Sequence, residues 1–163
     1  MKYVSLLNMQ EKIGTITKDD VNNLSVKEIQ SVIFDLTDSL GAKEIDKALE
    51  ILDNLIYQKE PLQKILIMLY NHFKKIYLYK LAVDLHKDVS EVLGLKSNQS
   101  FLINKYGRQS SYFSIDELQN ILEEFNELDY NSKIGKIDLD VGLRSILCSL
   151  WKIEKELIWI ILL

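Results

Sequence analysis

Residues 61–77 read Pro61-Leu62-Gln63-Lys64-Ile65-Leu66-Ile67-Met68-Leu69-Tyr70-Asn71-His72-Phe73-Lys74-Lys75-Ile76-Tyr77. Leu62, Ile65, Leu66, Leu69, Phe73, Ile76 and Tyr77 recur at helical intervals, so one face of a long α-helix is apolar. The chain's single proline is tolerated in the first turn, where its missing N–H would have been unpaired anyway. This helix is expected to be the longest of the fold and its spine.

The same period extends outward. Upstream, Ile45, Ala48, Leu49, Leu52, Leu55 and Ile56 form a second stripe. Before it, Ser25 and Glu28 make a Ser-x-x-Glu capping box that predicts a helix start, followed by Ile29, Val32, Ile33, Leu36 and Leu40 and stopped at Gly41. Downstream, Asp88 and Glu91 frame a short capped helix ended by Gly94, and Phe101, Leu102, Lys105 and Tyr106 mark another. Ser114 and Glu117 form a further box ahead of Leu118, Ile121, Leu122, Phe125 and Leu128. Residues 131–138, with Gly135, Lys133 and Lys136, read as a loop, and a last helix begins at about Leu139 and continues through Ile146, Leu147, Leu150 and Trp151. Its far end reads equally as helix or strand. Residues 1–24 differ: Tyr3, Leu6 and Leu7 make a brief stripe, and Thr17 with Asp20 offers a cap. Strand signals are nearly missing, so the expected class is all-α.

Composition excludes several functions. With 47% hydrophobic residues in 163, the chain can bury a core and is not disordered. Twenty basic and 24 acidic side chains leave a net charge of −4, unlike a free-standing nucleic-acid binder. Cys148, the single cysteine, rules out an internal disulfide framework or a cysteine-rich zinc site, fits a cytoplasmic protein, and reads as a buried structural thiol. No secretory signal is visible at residues 1–10, and Lys152, Glu154, Lys155 and Glu156 interrupt the apolar C-terminus before it reaches a membrane span.

No catalytic, cofactor or metal site is expected. The Gly-x-x-x-x-Gly-Lys-Ser/Thr cradle of a nucleotide hydrolase does not occur. His72 and His86 would stand about 21 Å apart on a continuous helix, too far to share a metal, and both read as surface or boundary residues. Glu123, Glu124, Glu127 and Asp129 share a helix surface without the enclosed pocket that acid–base work requires. Phe73, Tyr77, Phe101, Phe113 and Phe125 sit at core spacing, whereas Tyr70, Tyr79 and Tyr130 fall beside the stripes as half-exposed contact residues.

Charge is unevenly distributed. Residues 59–108 hold nine basic and four acidic side chains, and residues 109–132 hold six acidic and none basic. Lys74, Lys75, Lys80, Lys87, Lys105 and Arg108 are read either as a solvated face or as an oriented partner surface, and the acidic helix carries the same two readings. Trp151, Leu157, Ile158 and Ile161 extend the last helix's apolar surface beyond one stripe, which suggests packing against another chain.

The serial order of segments carries a resemblance. Ile33-Phe34-Asp35-Leu36-Thr37-Asp38-Ser39-Leu40-Gly41 is followed by Lys47-Ala48-Leu49-Glu50-Ile51-Leu52-Asp53-Asn54-Leu55, then the proline-led helix with Phe73. Ser90-Glu91-Val92-Leu93-Gly94-Leu95, Phe113-Ser114-Ile115-Asp116-Glu117-Leu118, Leu128-Asp129 and a final helix from Leu143 to Leu147 complete the series. Over about residues 13 to 150 this resembles the C-terminal part of the delta subunits of bacterial DNA polymerase III, components of the sliding-clamp loader. The resemblance implies a helical collar domain over 25–163, a remnant of a small helical lid over 1–24, and a non-catalytic role in a pentameric loader that places the clamp on primed DNA. It implies other loader subunits as partners, contact with the clamp through an N-terminal domain absent from this stretch, and no membrane. It also makes the loop with Lys133 and Lys136 a candidate for facing DNA, and the surface of Trp151, Leu157, Ile158 and Ile161 a candidate subunit interface. Two alternatives are the collar of a sister loader subunit and a generic helical adaptor.

Overall fold

The proline-led stretch forms a helix over Leu62–Asp84, with Pro61 as its extended N-cap (φ −60°, ψ 128°) rather than its first helical residue. The computed structural model describes residues 18–42 and 44–162, with side chains at 28–40, 42 and 44–150. Among these, regular structure is helical throughout: α1 (Lys18–Gly41), α2 (Ile45–Tyr57), α3 (Leu62–Asp84), α4 (Val89–Leu93), a 3₁₀ turn (Ser97–Gln99), α5 (Phe101–Ser110), α6 (Ile115–Lys133) and α7 (Leu139–Leu162). The chain divides into two compact units, 1–32 and 33–163, with the boundary inside α1.

In the second unit α3 is the spine and packs against α4, α5, α6 and α7, while α7 also packs on α2 and α6. Its inner face carries Ile65, Leu66, Leu69, Phe73 and Ile76, all fully or nearly fully buried. Phe73 meets Phe113 from α5's exit and Phe125 from α6 at ring separations of 5.6 and 5.7 Å. Burying a phenylalanine here contributes roughly 1.5–3 kcal/mol by transfer alone, before ring–ring contacts. The spine is nevertheless not the longest helix: α3 has 23 residues, and α1 and α7 have 24 each.

Several termini follow the sequence. The Asp88 carboxylate accepts from the Glu91 amide at the start of α4, and left-handed Gly94 ends it. At α6 the Ser114 box closes in both directions, Glu117 N–H to Ser114 Oγ and Ser114 N–H to Glu117 Oε2. Other termini do not follow it. The Ser25 box starts no helix, because α1 runs unbroken through it from Lys18. Residues 18–24 contain neither proline nor glycine, and adding residues to a formed helix costs far less than nucleating one.

Helices α2 and α3 end on Lys59 (φ 60°) and His86 (φ 52°), non-glycine residues in the left-handed region. Each closing turn is hydrogen-bonded, Glu60 N–H to Leu55 O and Lys87 N–H to Ala82 O, and this pairing of orphan carbonyls offsets the side chain's steric cost. The 131–138 loop is shorter than expected, since α6 continues to Lys133 and Gly135 (φ 72°) turns the chain. The far end of the chain is helix, through Leu162. Tyr3, Leu6, Leu7 and the Thr17 cap lie outside the described residues.

Candidate functional site

The first cluster of interacting polar groups lies where α1, α3 and α5 meet. His72 on α3 is 4% exposed, not a surface residue, and its ring packs edge-on to Phe34 at 4.5 Å and beside Tyr106 at 5.5 Å. The Gln109 side-chain amide donates to Phe34 O at 3.1 Å and to Asp38 Oδ1 at 2.8 Å, so its oxygen faces His72 Nε2 at 2.7 Å. That arrangement requires the Nε2–H tautomer of a neutral imidazole. Burial is the main cause that pushes the His72 pKa down to about 4, against smaller upward pulls from Gln109 and Asp38. Arg108 closes the relay on the outside by pairing with Asp38 at 2.5 Å. The cluster is a buried hydrogen-bonded clasp without a cleft, suited to holding three helices together.

This clasp also reorganises the basic face. Lys105 lies over Phe34 at 4.8 Å and Lys75 over Tyr106 at 5.9 Å, so both cations cover the aromatic cluster. Lys80 reaches across to the end of α5 and donates to the carbonyls of Ser110 (2.9 Å) and Phe113 (2.5 Å). It thereby satisfies acceptors that the helix end would leave open. Of the six candidates, Lys74 and Lys87 stay exposed without such a contact, and Arg108 is tied to Asp38. Most of the expected patch is thus engaged inside the fold.

The α6–α7 hairpin holds the candidate loop. Lys133 does not point freely from it: Nζ pairs with Asp129 Oδ2 at 2.6 Å, and Asp129 also accepts from Gln63 on α3 at 2.5 Å. Lys133, then Gln63, hold the Asp129 pKa below the usual carboxylate range. Lys136 is exposed in the turn, next to Asp138, whose carboxylate accepts from the Asp140 and Val141 amides to start α7. One helical turn on, Arg144 bridges Asp140 (2.8 Å) and Asp53 of α2 (2.5 Å), with Asp53 the larger cause of its raised pKa.

The fold therefore places the candidate site residues apart. Lys133 faces Asp129, Lys136 faces solvent, and Trp151, Leu157, Ile158 and Ile161 lie on α7 with side chains outside the described residues. Phe101, placed in the core by its spacing, is 59% exposed, because it is the first residue of α5 and precedes the turn that packs. Cys148 is half-buried rather than buried. Among the described residues no three His, Cys, Asp or Glu side chains converge as a metal site, and no helix is long and apolar enough to cross a membrane. Gly107 and Gly142, inside α5 and α7, escaped sequence reasoning. A Cβ at Gly107 would touch the Tyr79 hydroxyl at 2.7 Å, and one at Gly142 would overlap Leu128. Each leaves the room that a side chain of a neighbouring helix fills.

Comparison with known proteins accords with this architecture. The family model of the DNA polymerase III delta subunit, C-terminal domain, matches residues 30–150. DNA polymerase III subunit delta of Bacillus subtilis is 28% identical over 137 residues, covering 84% of this chain and 40% of that protein. A protein titled "Probable DNA polymerase III subunit delta" from Aquifex aeolicus is 30% identical over 163 residues, 97% of this chain and 45% of its own. Among solved structures, the Bacillus subtilis DNA clamp loader delta protein superposes with a TM-score of 0.72 at 26% identity, covering 91% of this chain and 44% of the other. The chain spans less than half the length of these relatives. With three quarters of its residues under one family model and the same helical fold, the chain belongs to the DNA polymerase III delta subunit family, in its C-terminal domain.

Proposed function

We propose that this chain is the collar region of a non-catalytic clamp-loader subunit, which joins other loader subunits in the cytoplasm into the pentamer that places the sliding clamp on primed DNA. On this reading residues 25–163 are the collar, residues 1–24 belong to a helical lid, and contact with the clamp is made by a domain preceding this stretch. The observation that supports it most is the continuation of α7 to Leu162. In a continuous helix, positions 151, 157, 158 and 161 fall within about 120° of arc at 100° per residue, one stripe wide enough for a partner helix. The apolar character of that stripe is what an inter-subunit contact uses, with Trp151 as its aromatic anchor.

The test is co-purification of a Trp151→Asp/Ile158→Asp variant with the other loader subunits. Binding should fall at least about tenfold, roughly 1.4 kcal/mol, with helix content unchanged by circular dichroism. Full-strength assembly of the double variant would refute the interface, and collapse of the monomer would show those residues to be core.

A further inference from the structure

The outer side of the α6–α7 hairpin carries an open groove. Leu128, Ile137, Val141 and Ile146 form its apolar lining, and Glu124 and Glu127 stand along the α6 edge. At its floor the Leu128 side chain fills the space that Gly142 leaves on α7. In the lining, Ile137 and Val141 are 40% and 63% exposed, and at the same hairpin end Tyr130 and Ile134 are exposed as well. Single exposed apolar residues are ordinary, but Ile137 and Val141 line the same groove as Leu128 and Ile146.

The charge beside the groove is as informative as its lining. On the α3 side of α6, Asp129 is paired with Lys133, and at the start of α7, Asp140 is paired with Arg144. Glu123, Glu124 and Glu127 are left with no cation among the described residues: Glu123 accepts from the Gln119 amide and Glu124 from the Ser149 hydroxyl. Residues 109–132 contain no basic side chain at all. Of the three glutamates, Glu124 and Glu127 border the apolar trough, and among the described residues neither forms an ion pair. Phosphate would be repelled here, so nucleic acid does not fit.

We propose that this groove docks an amphipathic helix of a partner protein, with large aliphatic anchors one turn apart and lysine or arginine on the side that faces Glu124 and Glu127. From Glu124 to Asn131 α6 rises seven steps, about 10 Å at 1.5 Å per residue, which matches two turns of such a helix. Aliphatic anchors in the trough supply affinity and the cationic edge sets orientation. The proposal does not rest on the interface assigned to the end of α7, which involves other residues.

The probes are two synthetic helical peptides with the same leucine stripe, one flanked by lysine and one by glutamate, titrated by fluorescence anisotropy into the full chain. The lysine peptide should bind at least about tenfold more tightly than its glutamate twin, and Glu124→Lys/Glu127→Lys should invert that order. Val141→Asp, at an exposed position, should weaken both at least about tenfold without altering the urea midpoint. Binding of the lysine peptide that Val141→Asp leaves intact would be diffuse charge attraction and would overturn the proposal. So would a preference that survives the double charge reversal, or light scattering that shows a dimer which Val141→Asp splits, since a second copy would then be the occupant. The Trp151→Asp/Ile158→Asp variant should bind the peptides normally, which separates failure here from failure of the assembly reading.

Discussion

Between pH 7 and pH 5 this fold should weaken through His72. In the folded chain the His72 pKa is depressed from 6.5 to about 4, chiefly by burial. Between those values the unfolded chain holds a proton on this ring that the folded chain does not, so stability is fully present above pH 6.5 and falls as the pH drops toward 4. The whole shift corresponds to about 3 kcal/mol, of which about 2 kcal/mol is lost between pH 7 and pH 5. Replacing the ring by a group that does not titrate should remove this slope. His72→Phe preserves the ring contacts with Phe34 and Tyr106 but leaves the Gln109 oxygen, inside a residue with no exposure, without its donor, at a cost of about 1–3 kcal/mol at pH 7. The wild-type chain should therefore lead the variant at pH 7, and the lead should shrink or vanish by pH 5. Urea unfolding of both proteins at steps across that range measures it, with the m-value checking that the unfolding surface is unchanged. Parallel pH dependence in the two proteins would refute the assignment.

Gly142→Ala should destabilise the chain by roughly 1–3 kcal/mol through overpacking against Leu128, although alanine is the better helix former by about 1 kcal/mol; thermal unfolding reads the sign directly, and a gain in stability would show that the contact has slack. Lys133→Glu with Lys136→Glu tests the DNA-facing loop: if the reading holds, the assembled loader should bind primed DNA more weakly and with a shallower salt dependence. Because Lys133 is engaged by Asp129, Lys136→Glu alone should produce most of that change, and unchanged affinity and slope with assembly intact would retire the loop as a contact.

Much of this molecule was determined by local sequence. The stripe from Leu62 to Ile76, the Asp88 and Ser114 caps and the left-handed Gly94 each depend on groups within one or two helical turns, so their chemistry is complete in the sequence itself. The family was legible for a related reason, since it rests on the serial order of such segments. The Ser25 box shows where local reading stops, because the same four-residue pattern lies inside an uninterrupted helix.

What the tertiary structure alone decided are the encounters between residues far apart in the chain. His72 looks like a boundary residue until Gln109, 37 positions later, supplies its partner, and Lys80 looks like surface charge until the end of α5 presents the Ser110 and Phe113 carbonyls 30 and 33 positions on. Asp129 pairs locally with Lys133 four positions on, but its second donor, Gln63, stands 66 positions earlier and only the packing of α3 on α6 brings it there. Gly142 carries no local signal at all, because its role is the empty space that Leu128 fills. Sequence periodicity establishes which face of a helix is buried; desolvation and long-range hydrogen bonding establish what each polar group does there, and those depend on which neighbour the packed helices bring within reach.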